Sequence, residues 1–246
     1  MKKLFFFIFI LLLKADEFQF YNGHLKIDNK DGIYNGINYQ SGSEDETLLF
    51  KVGLKKINLY EDNFIQDETF ISLKREIDLD EHIEIACQNI MNNNNKGTIY
   101  KFNWYKDDKI DYKVGGAFSH YQSDKVYQFD LSLNKFLGDS AFYLNPTYYS
   151  IDVLKDKLYN SLKLKLGYLE GRNDAYISFL LGDNRFLVLD DKYYSCNFGY
   201  TTEYNYKVSY AYQMNLHLII KCSYYYYKLK EIDDIKAYNI ALSYKY

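Results

Sequence analysis

The residues of this chain that could do covalent chemistry are a serine and a histidine close together in the sequence. Ser119 and His120 are adjacent, and Ser123 follows within the polar stretch YQSD. A serine hydrolase needs a histidine within hydrogen-bonding distance of the nucleophile and a third group that orients it. Adjacent residues of a strand face opposite sides, so only Ser123 could form such a pair with His120. We expect the chain not to be an enzyme, with a lipid-modifying hydrolase as the third of three functional hypotheses.

Metal and redox chemistry have no motif in this sequence. No CxxC occurs, and the cysteines and histidines are scattered, at Cys87, Cys196 and Cys222 and at His24, His82, His120 and His217. We therefore expect no metal and no cofactor, and interpret the cysteines as small apolar wall residues. The net charge of -3 over 246 residues gives no basic surface, so we expect no nucleic-acid partner.

The first fifteen residues, MKKLFFFIFILLLKA, have the pattern of an export signal. Lys2 and Lys3 precede an unbroken apolar run from Leu4 to Leu13. A membrane-spanning helix needs about 20 such residues, whereas a signal-peptide core needs about 7–15. We predict a signal peptide over 1–15, cleaved after Ala15.

Most of the remaining sequence alternates between large apolar and polar residues, the period of a strand with two different faces. In KLYNSLKLKLGYLE (157–170), Leu162, Leu164 and Leu166 alternate with Lys163 and Lys165. Short polar stretches separate such segments, as turns do between hairpin strands. With roughly 16 residues per strand and turn, 47–246 predicts about 12 strands, with 14 as the alternative. Residues 16–46 are polar and contain several glycines, and we predict a short periplasmic extension there, with a short plug as the alternative.

Two kinds of wall have one apolar and one polar face, a soluble sandwich and a membrane barrel. The predicted strands of about 10–13 residues suit a tilted bilayer crossing, and tyrosines recur near the strand ends, as in interfacial girdles. The 29 tyrosines and the single proline favour the barrel as well. The predicted fold is an all-β, transmembrane, antiparallel up-and-down β-barrel in the outer membrane of a Gram-negative bacterium.

The last strand resembles the signal that the barrel-assembly machinery recognises in outer-membrane proteins. Large apolar residues alternate up to a final aromatic residue, at Tyr238, Ile240, Leu242, Tyr244 and Tyr246. That resemblance implies three partners, namely the assembly machinery, outer-membrane lipids and lipopolysaccharide. The sequence leaves the oligomeric state open.

Two stretches resemble the YaiO-like family of outer-membrane β-barrels. They are SAFYLNPTYYSID (140–152) and LYNSLKLKLGYLEGRNDAYISFLLGDNRF (158–186), in which an aromatic strand, a serine-containing strand, a charged turn and a further strand follow one another. The resemblance implies the fold and the outer-membrane location, and it supplies no catalytic residues.

The polar face of the predicted strands gives the candidate lumen residues. These are Lys113, Asp130, Lys163, Lys165, Glu203, Lys207 and Gln213. Both charge signs occur, so no strong ion selectivity follows, and inward rings such as Tyr159 and Tyr193 could close the barrel. Our first functional hypothesis is a structural or accessory role in the envelope, linked to surface polysaccharide. The second is a narrow passive channel for small solutes.

Overall fold

The chain forms one closed barrel of antiparallel strands in which each strand pairs with its neighbours in sequence and β1 pairs with β14. The computed structural model describes residues 16–27, 30–42, 48–60, 64–78, 80–92, 96–121, 124–138, 140–154, 157–185, 201–230 and 234–246. The fourteen strands are β1 Glu17–Ile27, β2 Lys30–Ser41, β3 Leu48–Leu59, β4 Phe64–Asp78, β5 Glu81–Asn92, β6 Lys96–Lys106, β7 Asp111–Tyr121, β8 Asp124–Phe136, β9 Phe142–Val153, β10 Leu158–Glu170, β11 Asn173–Asn184, β12 Thr202–Gln213, β13 Leu218–Leu229 and β14 Ile235–Lys245. Among these residues no helix is long and apolar enough to cross a membrane.

The predicted barrel is confirmed, and its strand number is the alternative of 14 rather than 12. The predicted extension over 16–46 is wrong, because β1 and β2 pair with each other and close the barrel against β14. The barrel therefore begins at Glu17 and not at residue 47. The predicted signal peptide lies outside the described residues. So does most of 192–203, where the alternation of apolar and polar residues predicts a further strand.

Alternation decides which way each side chain faces, as β14 shows. Ile235, Ala237, Asn239, Ala241 and Ser243 are buried on the inner face. The side chains between them are exposed on the outer face, and Ile240 keeps 59% of its surface exposed. Apart from Ile235 the inner residues are small or polar, and apart from Lys236 the outer residues from 236 to 244 are large and apolar, the reverse of a soluble protein's arrangement.

Glycines of the inner wall make room for tyrosines on the neighbouring strands. Gly23 faces Tyr34 across the β1–β2 pair, and Gly36 faces Tyr21. A methyl group on Gly23 would stand 2.2 Å from the Tyr34 ring, so that ring occupies the space left by the missing side chain. Such glycine–aromatic pairs fix the register of two strands, because a slip would push the ring into a Cβ atom.

The β10–β11 hairpin is closed by the two residues Gly171 and Arg172. Gly171 has a φ of 58°, a conformation that glycine adopts without steric cost. The charged turn predicted within 158–186 is therefore a tight hairpin turn. It sets the register in which Lys165 pairs with Ser178.

Candidate functional site in the barrel interior

The inside of the barrel changes from polar to apolar along its axis. We call the end where β1 begins and β14 ends the terminal end, and the opposite end the far end. Two apolar clusters occupy the far half of the interior. The first includes Tyr21, Leu25, Tyr34, Ile57, Leu59, Tyr225, Tyr227, Leu229 and Ile235. The second consists of Ile90, Ile99, Ala117, Val126, Tyr149, Ile151, Val153, Tyr159 and Leu180.

A polar cavity occupies the terminal half, and we call it the vestibule. Its volume is about 480 Å³, within the range of small-molecule sites. Rim residues and inner-wall residues line it together: Tyr105, Asp107, Asp111, Tyr112, Lys113, Ser132, Leu133, Asn134, Asn145, Lys163, Lys165, Asp174, Tyr176 and Lys221. The vestibule is thus large enough for a small molecule, and its lining is rich in lysine and tyrosine.

Two ion pairs lie on the β3–β8 side of the interior. Lys55 Nζ is 3.1 Å from Glu68 Oε2, and Lys113 Nζ is 2.6 Å from Asp130 Oδ2. All four side chains are buried. Gln66 and Gln88 add amide donors to Glu68 at 2.8 and 2.9 Å, and Gln128 donates to Asp130 at 3.3 Å. Buried charges survive in this way only when they are paired and hydrogen-bonded.

A third carboxylate on this side, Glu84 of β5, accepts hydrogen bonds from three side chains on its two neighbouring strands. Ser72 Oγ donates at 2.6 Å, Tyr105 Oη at 2.8 Å and Asn103 Nδ2 at 3.0 Å. These bonds cross-link β4, β5 and β6 inside the barrel. Charge-assisted hydrogen bonds are about twice as strong as neutral ones, so this wall is held rigidly.

The opposite wall, formed by β10–β13, carries lysines packed on tyrosine rings. We call the inner face of β10–β13 that carries Lys163, Lys165, Lys207, Lys221 and Tyr176 the lysine–tyrosine wall. The ammonium groups of Lys165, Lys207 and Lys221 lie 4.1, 5.0 and 5.9 Å from the Tyr176 ring centre. Lys165 also lies 4.9 Å from the Tyr143 ring, and Lys207 lies 4.6 Å from that of Tyr225. Cation–π contacts of this kind fix the ammonium positions.

The structure places most of the predicted lumen residues on the inner face. Lys113, Asp130 and Lys207 are buried there, and Lys163 and Lys165 line the vestibule. Gln213 is half-buried at the terminal end of β12. The prediction that Glu203 faces the lumen is wrong, because the ladder shifts register between Thr202 and Tyr204. The shift gives the buried position to Thr202 and leaves Glu203 exposed.

Sequence reasoning missed Lys221, Tyr176, Glu68 and Glu84 as interior residues. Each lies in a predicted strand, so counting alternate residues from an apolar outer position would have found it. Lys221, for example, lies between Ile220 and Cys222, which take the outer face of β13. Of the two rings expected to close the barrel, Tyr159 is buried inside, and Tyr193 lies outside the described residues.

Ser119 and His120 face opposite sides of the wall, as the alternation predicts, and the candidate pair of Ser123 with His120 remains a prediction. Ser119 is buried on the inner face of β7, and His120 is exposed on the outer face. Ser123 lies outside the described residues. Within the described ranges, no group of three histidine, cysteine, aspartate or glutamate side chains could hold a metal ion. Cys87 and Cys222 carry free thiols, and Cys196 lies outside these ranges.

The residues of the predicted assembly signal lie on the outer face at the closing strand. Tyr238, Ile240, Leu242, Tyr244 and Tyr246 are all exposed. Large apolar residues cover the outer face of other strands in the same way, among them Ile71, Ile85, Phe102, Leu131, Leu162, Leu164, Phe179 and Val208. The outer surface is therefore a continuous apolar belt around a charged interior.

No protein-family model matches the sequence, and no curated protein sequence matches it significantly. Solved structures do match the fold. Omp33, an outer-membrane protein of Acinetobacter baumannii, superimposes with a TM-score of 0.59 at 6% identity, over 95% of this chain and 99% of that one. CymD, a monoaromatic hydrocarbon channel, gives 0.60 at 8%, over 94% and 89%. OmpF of Salmonella typhi, solved with daunomycin, gives 0.50 at 10%, over 93% and 96%. At these identities the similarity establishes the barrel fold alone.

Proposed function

We propose that this chain is an outer-membrane β-barrel protein of a Gram-negative bacterium that lets small solutes into its interior. The observation that carries the location is the inverted surface. Exposed isoleucine, leucine and phenylalanine side chains cover the outer face, while Asn103 and Asp130 are fully buried inside. In water such a belt would aggregate, whereas lipid makes it the stable arrangement. Closure of the ladder leaves no unpaired strand edge facing the hydrocarbon, as a bilayer demands.

The connections between strands give the barrel an orientation. The longest stretch of sequence between two consecutive strands separates β11 from β12, whose adjoining ends lie at the far end, and shorter stretches separate the strands at the terminal end. Outer-membrane barrels have short periplasmic turns and longer extracellular loops. The terminal end and the vestibule then face the periplasm, and the far end faces the cell exterior.

A narrow passive channel is the function that the vestibule supports best. Charged and hydroxyl side chains line a cavity of about 480 Å³, which a purely structural barrel does not need. The apolar clusters of the far half narrow the path beyond it. Small solutes would therefore enter from the terminal end and meet a constriction of aromatic side chains.

A structural or accessory envelope role is the second candidate, and the same apolar clusters favour it. Packed rings such as Tyr149 and Tyr159 stiffen a barrel and obstruct passage. The link to surface polysaccharide and the resemblance to the YaiO-like family belong to this alternative and remain predictions. A role as a lipid hydrolase would require Ser123, since Ser119 and His120 face opposite sides.

Single-channel recording in a planar bilayer tests the channel. The chain from residue 16 is refolded, its folding is checked by a heat-sensitive gel shift, and stepwise currents are expected. Tyr149→Ala, in the second apolar cluster, should raise the conductance, whereas Tyr148→Ala, on the outer face of the same strand, should leave it unchanged. A folded barrel that carries no current in the original chain or in Tyr149→Ala would overturn the channel and favour the accessory role.

A further inference from the structure

We propose that the lysine–tyrosine wall is a binding site for small organic polyanions that carry carboxylate or phosphate groups. The inference deepens the proposed function, since it concerns the vestibule of the same barrel. It names the class of solute that the vestibule selects. The wall's geometry, its charge and the shape of the cavity carry it.

Two lysines of this wall flank Ser178, one on each neighbouring strand. Lys165 pairs across the ladder with Ser178, and Ser178 pairs with Lys207 on the next strand. One step toward the terminal end, Tyr176 lies between Gly167 and Ser209. Gly167 leaves the space that the Tyr143 ring occupies, and the Lys165 ammonium group lies near both the Tyr143 and the Tyr176 rings. Three ammonium groups within 6 Å of one ring centre are thereby gathered on one side of the barrel.

The charges on this wall are unbalanced. Lys163, Lys165 and Lys221 line the vestibule, and Lys207 is buried beside them. Among the described residues of this wall, Asp174 is the carboxylate that lines the vestibule. The other carboxylates near the vestibule lie on β7 and β8 or in the connection between β6 and β7, on the opposite side of the barrel from this wall. Asp130 pairs with Lys113, Asp107 lies 2.8 Å from His82 Nε2, and Asp111 accepts a hydrogen bond from Asn134 at 2.9 Å.

Clustered like charges in a site of reduced dielectric repel one another, and an anion among them relieves that repulsion. A cavity with walls of low polarity also concentrates ions of the opposite sign. Several ammonium groups suit a ligand with more than one anionic group, because each lysine donates as a point charge. The cavity volume limits that ligand to a small molecule.

Calorimetric titration of the refolded chain in nonionic detergent at low salt tests the site. Citrate is the carboxylate probe, inorganic phosphate the phosphate probe and sorbitol the neutral control. We expect saturable binding of at least one anion and none of sorbitol. The double variant Lys165→Gln/Lys221→Gln should weaken that binding by about tenfold or more, as the loss of charge-assisted contacts predicts.

The matched control is Lys125→Gln/Lys135→Gln, which removes the same charge from exposed positions of β8. This control should leave the affinity unchanged. Equal weakening by both double variants would mean a general charge effect and would overturn the site, as would the absence of binding by either anion. Citrate without phosphate binding assigns the carboxylate class, and the converse assigns the phosphate class.

Conductance separates the failure of this inference from failure of the channel. If the barrel conducts, a salt gradient should show anion preference that Lys165→Gln/Lys221→Gln reduces. Currents without anion binding would leave the channel standing and overturn the polyanion site. Anion binding without currents would establish the site in a barrel that does not conduct.

Discussion

Removing one partner of the buried Lys113–Asp130 pair should destabilise the barrel strongly, and removing both should not. The substitutions are Lys113→Met, Asp130→Asn and the two combined. Asn keeps an oxygen that can accept the Gln128 hydrogen bond, and Met keeps the length of the lysine chain. The set isolates the ion pair from the packing around it.

The expected size of the effect follows from burial. The ammonium and carboxylate are 2.6 Å apart, and their side chains are 8% and 1% exposed. A single substitution leaves one uncompensated charge inside the barrel, which costs about 3–5 kcal/mol. Replacing both charges removes the desolvation cost together with the attraction, so the double variant should lie near the original stability.

Urea unfolding of the chain in phospholipid vesicles, followed by the fluorescence of Trp104, measures these differences from the midpoint and slope. Asp183→Asn is the control, because it breaks the rim pair with Lys230, whose partners are 38% and 43% exposed. Such a pair is worth about 0–1 kcal/mol. Additive losses in the double Lys113/Asp130 variant would refute the reasoning, since they would show that the two charges do not compensate each other.

Three further predictions concern the interior and the outer face. Tyr105→Phe removes a hydrogen bond to the Glu84 carboxylate and should cost about 1.5–3 kcal/mol in the same unfolding assay; an unchanged midpoint would contradict that bond. Gly167→Ala places a methyl group 2.0 Å from the Tyr143 ring and should cost about 1–3 kcal/mol. Tyr143→Ala added to it should recover part of that loss, and no recovery would contradict the contact. Leu164→Lys puts a charge on the lipid side of β10 and should cost about 2–4 kcal/mol in vesicles, while a negligible cost would argue against lipid contact.

The alternation of side chains was enough to predict the barrel and most of its strands. It failed for β1 and β2, because inner-face glycines such as Gly32 and Gly36 interrupt the expected pattern. Gly36 makes room for the Tyr21 ring of β1, a tertiary contact that no local pattern displays. The predicted count of about 12 strands over 47–246 therefore left these two strands out.

The sequence predicted which side chains face the interior, but not which of them contact one another. Alternation placed Lys163, Lys165 and Lys207 inside, and it could not show that one wall neutralises its charges while the other gathers cations. That difference depends on which strands meet across the ladder, such as Gly167 with Tyr143 and Ser178 with Lys207. The inward orientation predicted for Glu203 was wrong because the strand shifts register beside it. Such a bulge could not be located from the alternation of side chains alone.

We propose that β10 crosses a bilayer with its leucines in contact with lipid and its lysines facing a wet interior. Spin labels placed singly at residues 162–166, in a chain whose three cysteines are replaced by serine, test it directly in vesicles. We predict that positions 162, 164 and 166 are accessible to molecular oxygen and protected from a water-soluble nickel complex, with the opposite result at 163 and 165. Equal access of the nickel complex to all five positions would contradict the account.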